Sequence, residues 1–202
     1  MIAIIDYGVG NLFSLCSAFK KIGAETVVTN DAETIKKADK LVLPGVGAFG
    51  DAVEKLRNSG LDKIIIEQVN NGKFLLGICL GMQLLFEKSY EYGVHNGLGL
   101  IDGEVVPIEN NIPRNLKIPH IGWNSLKITQ ETPLFKYIND SDCVYFVHSF
   151  YAKTTDKALI ANTNYGIEIT AAVQRNNIFG CQFHPEKSST VGLNIIRAFC
   201  EM

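Results

Sequence analysis

The chain has 202 residues, of which 47% are hydrophobic and 20% are charged, a composition typical of a soluble globular protein with a sizeable core. The net charge of −2 at pH 7 provides no electrostatic basis for binding nucleic acid or an anionic membrane surface. No apolar run approaches the roughly 18 residues of a transmembrane helix, and the early acidic residue Asp6 argues against a signal peptide.

The first half of the sequence alternates short apolar segments with helical patterns. A β-branched run at 2–5 is followed by apolar residues at helical spacing up to Gly23, a typical helix stop. Strands are predicted at 2–5, 26–28, 41–43 and 74–78, and helices at about 12–22, 50–57, 61–71 and 79–88. Such alternation predicts a parallel sheet covered by helices on both faces.

The second half is richer in strands. Strands are predicted at 99–107, 123–129, 144–152, 159–162, 169–174 and 177–183, and a last helix at about 189–201. Without a repeat or a linker, we expect residues 1–202 to form one α/β domain with a mixed, mostly parallel central sheet flanked by helices. The five cysteines, at 16, 79, 143, 181 and 200, lack metal-ligand spacing and fit a reducing cytoplasm.

The sequence Gly77-Ile78-Cys79-Leu80-Gly81 joins the predicted strand at 74–78 to the helix after it. Gly-x-Cys-x-Gly at such a junction is the thiol form of a nucleophile elbow, a sharp turn that exposes the nucleophile. Side chains at the glycine positions would collide with the turn, and the helix start directs N–H groups at the sulfur, which favours the thiolate. A buried structural cysteine is the alternative, but it does not account for the paired glycines.

His184 and Glu186 supply a candidate base and its partner. They follow the predicted strand at 177–183, and residues i and i+2 of an extended chain lie on the same face. The carboxylate can therefore orient the imidazole, as in a Cys-His-Glu triad. By itself the sequence at 184–186 more often marks a turn with a surface carboxylate. Only its combination with the elbow at Cys79 favours the triad.

The remaining histidines give no comparable signal. His95 and His120 flank loop-like segments and have no apparent carboxylate partner. His148 lies within a strand pattern, and we interpret it as a packed or hydrogen-bonded residue.

An oxyanion hole is predicted from two backbone segments. One donor is the N–H of Leu80, the residue after the nucleophile. The other comes from the glycine-rich loop at 44–49, in particular Val46 and Gly47, because glycine lets a backbone approach a reacting carbonyl closely. Without Cys79 this loop would be read as an ordinary strand-to-helix turn. It is not a P-loop, because no Gly-Lys-Ser/Thr follows.

The strings at 77–83 and 183–186 together resemble the class I (triad) glutamine amidotransferases, and the whole chain is close to the minimal size of that domain. Four further strings, at 6–11, 44–49, 120–124 and 147–151, are similar to the glutaminase subunits of imidazole glycerol phosphate synthases. The resemblance implies hydrolysis of the side-chain amide of L-glutamine and transfer of the ammonia to a synthase. It implies neither a metal nor an organic cofactor.

The resemblance also implies roles for individual residues. Cys79 would be the nucleophile, His184 the acid–base and Glu186 its orienter. The residues that would bind glutamine are Gly45, Gln83, Glu91, Ser149 and Phe150. The family more often has tyrosine at the position of Phe150, a change that matters only if the hydroxyl is used. The residues that would face the synthase are Asn11, Trp123, Tyr145 and Lys187, which could equally be a helix-start amide, a core indole, a strand tyrosine and a solvated lysine.

The implied partner is a separate cyclase subunit with a (β/α)₈-barrel fold. The two chains would form a cytoplasmic heterodimer in which ammonia passes through the barrel, giving imidazole glycerol phosphate and AICAR in histidine biosynthesis. The isolated chain would be weakly active, because the 44–49 loop would present a carbonyl rather than an N–H to the oxyanion hole until the partner signals.

Other functions stay open at this point. A paralogous subunit could supply ammonia to a cell-surface sugar amidotransferase, which neighbouring genes would reveal. The strings at 6–11 and 122–124 argue against the glutaminases of anthranilate or pyridoxal phosphate synthesis. A partner-independent cysteine hydrolase or peptidase is disfavoured by Gln83 and the 184–186 string, and intact Cys79, His184 and Glu186 disfavour an inactive binding module.

Overall fold

The computed structural model describes residues 1–109 and 111–202, and its largest element is a mixed sheet of eight strands. In chain order the strands are β1 (Ile2–Ile5), β2 (Thr26–Thr29), β3 (Lys40–Leu43), β4 (Phe74–Ile78), β5 (Phe86–Ser89), β6 (His95–Asn96), β7 (Ile101–Pro107), β8 (His120–Ser125), β9 (Lys127–Ile128), β10 (Cys143–His148), β11 (Phe150–Thr154), β12 (Leu159–Asn164), β13 (Glu168–Arg175) and β14 (Ile178–Cys181). The α-helices are α1 (Leu12–Lys21), α2 (Ala32–Lys37), α3 (Phe49–Asn58), α4 (Leu61–Asn70), α5 (Leu80–Gln83) and α6 (Ser189–Glu201).

The large sheet has the strand order β2-β1-β3-β4-β14-β13-β12-β9. The first five strands in this order run parallel, and β13, β12 and β9 extend the sheet in antiparallel pairs. β4 lies between β3 and β14, so its carboxyl end opens at the middle of the sheet. In the β4–β14 register, Ile78 is opposite Cys181, which brings the segments after the two strands side by side.

Helices cover both faces of this sheet. Along β1, Ile2 and Ile4 belong to one buried cluster and Ala3 and Ile5 to the other, as the two-residue period of a strand requires. The first cluster contains the buried faces of α1 and α6, and the second those of α2, α3 and α4. The predicted α/β architecture with a mixed central sheet is therefore confirmed.

Two smaller sheets lie beside the large one. One pairs β8 with β10, and the other has the order β11-β7-β5-β6. The prediction of one strand over 144–152 was wrong, because the chain leaves β10 after His148 and enters another sheet at Phe150. Ser149 therefore lies at the junction of two sheets.

The predicted helix from 79 to about 88 was also wrong, since α5 ends at Gln83 and β5 begins at Phe86. Long-range pairing overrides the helical pattern here. The Leu84 carbonyl accepts from the Leu98 N–H at 2.8 Å, and the Leu85 carbonyl accepts from the N–H groups of residues 100 and 101. These carbonyls would otherwise continue the helical ladder.

No helix in the described ranges, 1–109 and 111–202, combines the length and the apolar character that a membrane span requires.

Candidate active site

Cys79 lies at a strained turn between β4 and α5. Its φ of 55° and ψ of −114° are rare for a residue with a side chain. A Cβ on Gly77 would lie 2.8 Å from the Gly81 carbonyl oxygen, and a Cβ on Gly81 would collide with the Leu43 carbonyl oxygen. The Cys79 N–H donates to the Cys181 carbonyl at 2.7 Å, which ties the turn to the neighbouring strand.

His184 and Glu186 lie next to this turn. The chain continues from β14 in an extended conformation to His184 and then forms a 3₁₀ turn over Pro185–Lys187. His184 Nδ1 donates to Glu186 Oε1 at 2.8 Å, and both side chains are at most 4% exposed. His184 and Cys79 also line the same cavity, and Cys79 is one of the groups that raise the pKa of His184. The geometry therefore brings the three predicted catalytic residues into one connected set.

The protonation of His184 follows from this environment. Burial disfavours the imidazolium, but the interactions with the Cys79 sulfur and with its hydrogen-bond partner Glu186 outweigh burial and raise the pKa of His184 to about 10. Because this value lies above the unfolded pKa of about 6.5, the associated stability is fully present below about pH 6.5 and is lost as pH rises through about 10. At neutral pH the imidazolium is available as a proton donor.

A cavity of about 310 Å³ opens beside Cys79. The residues that line it are Val46, Gly47, Cys79, Leu80, Gln83, Glu91, Val147, His148, Ser149, Phe150, His184 and Lys187. All predicted oxyanion and substrate residues are among them except Gly45. Gly45 packs behind the elbow, where an added Cβ would lie 2.8 Å from the Gly81 nitrogen.

Gln83 and Glu91 are each held by a backbone group. Gln83 Nε2 donates to the Phe150 carbonyl at 3.0 Å and to Gln182 Oε1 at 2.9 Å. Glu91 Oε2 accepts from the Phe49 N–H at 2.6 Å. Burial raises the pKa of Glu91, against the lowering effect of that hydrogen bond. A cationic group entering the cavity would therefore stabilise the ionised carboxylate.

Three of the four predicted interface residues lie close together. The Trp123 and Tyr145 rings are 6.1 Å apart in an edge-on arrangement, and Lys187 Nζ lies 5.9 Å from the centre of the Tyr145 ring. Trp123 is 52% exposed. The alternative interpretation of this residue as an indole buried in the core was therefore wrong. The Asn11 side chain caps α1 by accepting from the Ser14 N–H at 3.2 Å.

Comparison with known proteins places the chain in a family. A family model described as class-I glutamine amidotransferase matches residues 3–201. The chain belongs to the class I glutamine amidotransferases. It is 51% identical to imidazole glycerol phosphate synthase subunit HisH of Lactococcus lactis, over 99% of this chain and 98% of that protein. The corresponding HisH of Bacillus subtilis is 47% identical, over 100% and 96%.

A solved structure described as a glutamine amidotransferase shares the fold of this class I amidotransferase. It has a TM-score of 0.77 and 19% identity, and the similarity covers 100% of this chain and 98% of that one. The described ranges, 1–109 and 111–202, hold no cluster of three or more His, Cys, Asp or Glu side chains suited to a metal ion.

Two side chains at the site of this amidotransferase were not predicted from the sequence. Gln182 Nε2 lies 3.8 Å from Cys79 Sγ, and the same amide group accepts from Gln83 through Oε1. His148, interpreted as a packed or hydrogen-bonded residue, is indeed buried and hydrogen-bonded, but it also lines the cavity. Gln182 lies two residues before His184, and this i, i+2 spacing was the one signal that could have placed it on the same side of the chain.

Replacing Glu186 with glutamine should lower the turnover of this amidotransferase by about 10²- to 10³-fold, because the amide no longer balances the imidazolium charge. The pKa of His184 should also fall, since Glu186 is one of the groups that raise it. Steady-state glutamine hydrolysis and a pH titration of the His184 ring protons by NMR measure the two effects.

Glu201→Gln is the matched control for this change. Glu201 is an exposed acid at the end of α6, where it pairs with Lys136 and Arg197. Loss of its charge should therefore leave turnover unchanged. An equal loss of turnover in both variants would rule out a specific role for Glu186.

Proposed function

We propose that this chain hydrolyses L-glutamine to glutamate and ammonia at Cys79 and delivers the ammonia to the cyclase subunit of an imidazole glycerol phosphate synthase in the cytoplasm. In histidine biosynthesis that complex makes imidazole glycerol phosphate and AICAR. The observation that carries the proposal is the connected set of Cys79, His184 and Glu186 at the cavity. Full-length relatives named HisH subunits support the choice of complex.

The reaction begins at the Cys79 sulfur. The thiolate attacks the glutamine Cδ, and the oxyanion accepts hydrogen bonds from the Leu80 N–H and from the loop at Val46 and Gly47. Leu80 is the first residue of α5, so its N–H has no partner within the helix. As the C–N bond breaks, His184 donates its proton to the leaving ammonia. The product is a γ-glutamyl thioester on Cys79.

Hydrolysis of the thioester reverses these roles. His184, now neutral, takes a proton from a water molecule that attacks the carbonyl carbon. The C–S bond breaks, glutamate leaves, and the Cys79 thiolate and His184 imidazolium are restored. Glu186 accepts the hydrogen bond from His184 Nδ1, which fixes the proton on that nitrogen and leaves Nε2 to face the reacting atoms.

Glutamine binding is assigned to the lining of the cavity. The Glu91 carboxylate is placed to receive the α-ammonium group, and the main chain at Ser149 and Phe150 to receive the α-carboxylate. Gln83 already donates to the Phe150 carbonyl, which leaves its own carbonyl oxygen as an acceptor. Because Phe150 contributes main-chain atoms in this arrangement, the absent tyrosine hydroxyl has little effect. Gly45 acts indirectly, by letting the 44–49 loop pack against the elbow.

The docking surface for the cyclase barrel is assigned to Trp123, Tyr145, Lys187 and Asn11. Exposed aromatic residues are enriched at protein interfaces, and Trp123 and its neighbour Ile121 are each more than half exposed. Ammonia released into water is protonated at neutral pH and cannot attack, so docking over the site makes its transfer productive.

The test is glutamate release from glutamine by the purified chain, alone and with the cyclase subunit and its nucleotide ligand. We expect weak activity alone and strong activity in the complex. Full activity of the isolated chain would contradict gating through the 44–49 loop. Absence of glutamate release under both conditions would indicate a paralogue with another acceptor, such as a sugar amidotransferase. Hydrolysis of peptide substrates would indicate an independent hydrolase.

A further inference from the structure

Two buried histidines that the reaction does not use face each other across β8 and β10. His120 and His148 are paired residues in the strand register and are 0% and 6% exposed. His120 Nδ1 lies 3.0 Å from His148 Nε2. The His120 ring stacks on Phe146 and Tyr165, with ring centres 5.0 and 4.1 Å away. The pair is thus fixed in position by its surroundings.

The inner end of this pair reaches the substrate side of the cavity. His148 Nδ1 lies 2.8 Å from the Phe150 carbonyl oxygen, the same oxygen that accepts from Gln83 Nε2 at 3.0 Å. His148 and Gln83 therefore hold one carbonyl from two sides. That carbonyl belongs to the 149–150 segment, which lines the cavity and joins two separate sheets.

Counting donors assigns the protons along this chain of contacts. The Phe150 carbonyl only accepts, so His148 Nδ1 bears a proton, His148 Nε2 accepts, and His120 Nδ1 donates. At the outer end His120 Nε2 lies 3.0 Å from Asn124 Oδ1, which also only accepts, because Asn124 Nδ2 donates to the Asn164 carbonyl. If all of these contacts were hydrogen bonds at the same time, His148 would carry one ring proton and His120 two. That total of three is one proton more than two neutral imidazoles carry.

Burial opposes that additional proton. It lowers the pKa of His120, and it lowers the pKa of His148 to about 3. Two other titratable groups lie near the pair: His184, whose charge also lowers the pKa of His148, and the Tyr165 phenol. With both rings neutral, one of these contacts lacks a proton, and we assign the outer contact to this role because Asn124 is only partly buried and water can replace it there. The inner contacts, from His120 to His148 and from His148 to Phe150, stay complete.

We propose that His148, oriented by His120, is a positioning residue that fixes the 149–150 main chain for glutamine binding. This inference rests on the proposed function, because glutamine is the ligand whose binding it affects. The two sheets that meet at Ser149 share no strand, so the peptide between them needs side-chain support to hold one orientation. His148 donates from one direction and Gln83 from the other, and together they supply it.

The kinetic test compares His148→Leu with His148→Asn in the complex with the cyclase subunit. Leucine removes the donor to Phe150, so KM for glutamine should rise about tenfold, as expected for one buried hydrogen bond, while kcat changes less. An asparagine amide can occupy the place of Nδ1 and should restore KM to within about twofold. Tyr165→Phe, which loses only a hydrogen bond to the Lys117 carbonyl, is the control and should keep the original KM.

A packing role alone would give the opposite order. Leucine fills the space of the imidazole better than asparagine does, so it would then retain KM and asparagine would lose it. That order, or an unchanged KM in folded His148→Leu, would overturn the inference. Thermal unfolding of each variant shows that the protein compared is folded.

A second measurement does not depend on activity. ¹⁵N NMR of the histidine rings in the isolated chain should show His148 protonated at Nδ1, with Nε2 accepting, between about pH 6 and pH 8. His148 protonated at Nε2 instead would overturn the inference. If the wild-type complex hydrolyses no glutamine, the proposed function fails, and the NMR result still decides whether His148 donates to Phe150.

Discussion

Alanine at position 79 should abolish glutamine hydrolysis by the complex, with a loss of about 10⁴-fold or more in kcat, because no other group can form the thioester. The fold should persist, since alanine fits the space of cysteine and can take the same backbone conformation. The pKa of His184 should fall, because the neighbouring Cys79 sulfur is one of the groups that raise it. Glutamate release, thermal unfolding and an NMR titration of His184 measure these three outcomes.

Two controls make the Cys79 result specific. Cys143→Ala removes an exposed thiol from β10 and should leave hydrolysis unchanged. Ammonium salts supplied to the Cys79→Ala complex should still support the cyclase reaction, because the proposed function assigns the synthase site to the other chain. Continued glutamate release by Cys79→Ala would exclude the thioester mechanism.

Gly81→Ala should destabilise the protein by about 3 kcal/mol or more and remove activity. The added Cβ would collide with the Leu43 carbonyl oxygen of β3 and approach the backbone of Pro44. Overpacking usually costs about 1–3 kcal/mol, and here the obstacle is backbone at the centre of a sheet, which cannot move aside as a side chain can. Displacement of the turn would also move the Leu80 N–H away from the reacting carbonyl. Urea unfolding and glutamate release measure the two effects.

Gly60→Ala is the control that separates the cost of a steric collision, expected at Gly81, from the cost of backbone strain alone. Gly60 has a φ of +73°, and an added Cβ there would meet nothing within 4 Å. The cost should therefore be only that of a left-handed residue with a side chain, about 1 kcal/mol, with activity retained. Equal costs at the two glycines would show that the elbow has room for a side chain.

Local sequence patterns were sufficient for the strand that leads into Cys79 and for the last helix of the chain. The strand at 74–78 and the helix at 189–201 have the predicted bounds, because each has a consistent apolar pattern. The two-residue period of an extended chain predicted that His184 and Glu186 lie close together, and the structure brings them together through a 3₁₀ turn over Pro185–Lys187 instead. Such features depend on neighbours within a few positions, and this range is what a single sequence expresses directly.

The sequence by itself therefore determined the family, the parallel half of the sheet and the identity of the candidate nucleophile and base. Tertiary structure decided what depends on distant partners. Residues 84–88 do not form a helix because their backbone groups pair with residues 96–104. The predicted strand at 144–152 divides at Ser149 because its halves join different sheets. The pairing of β10 with β8 brings His148 next to His120, 28 positions earlier in the chain. Backbone hydrogen bonds between segments far apart in the chain do not change the spacing of apolar residues in either segment. The sequence pattern therefore does not predict them, and only the tertiary structure shows them.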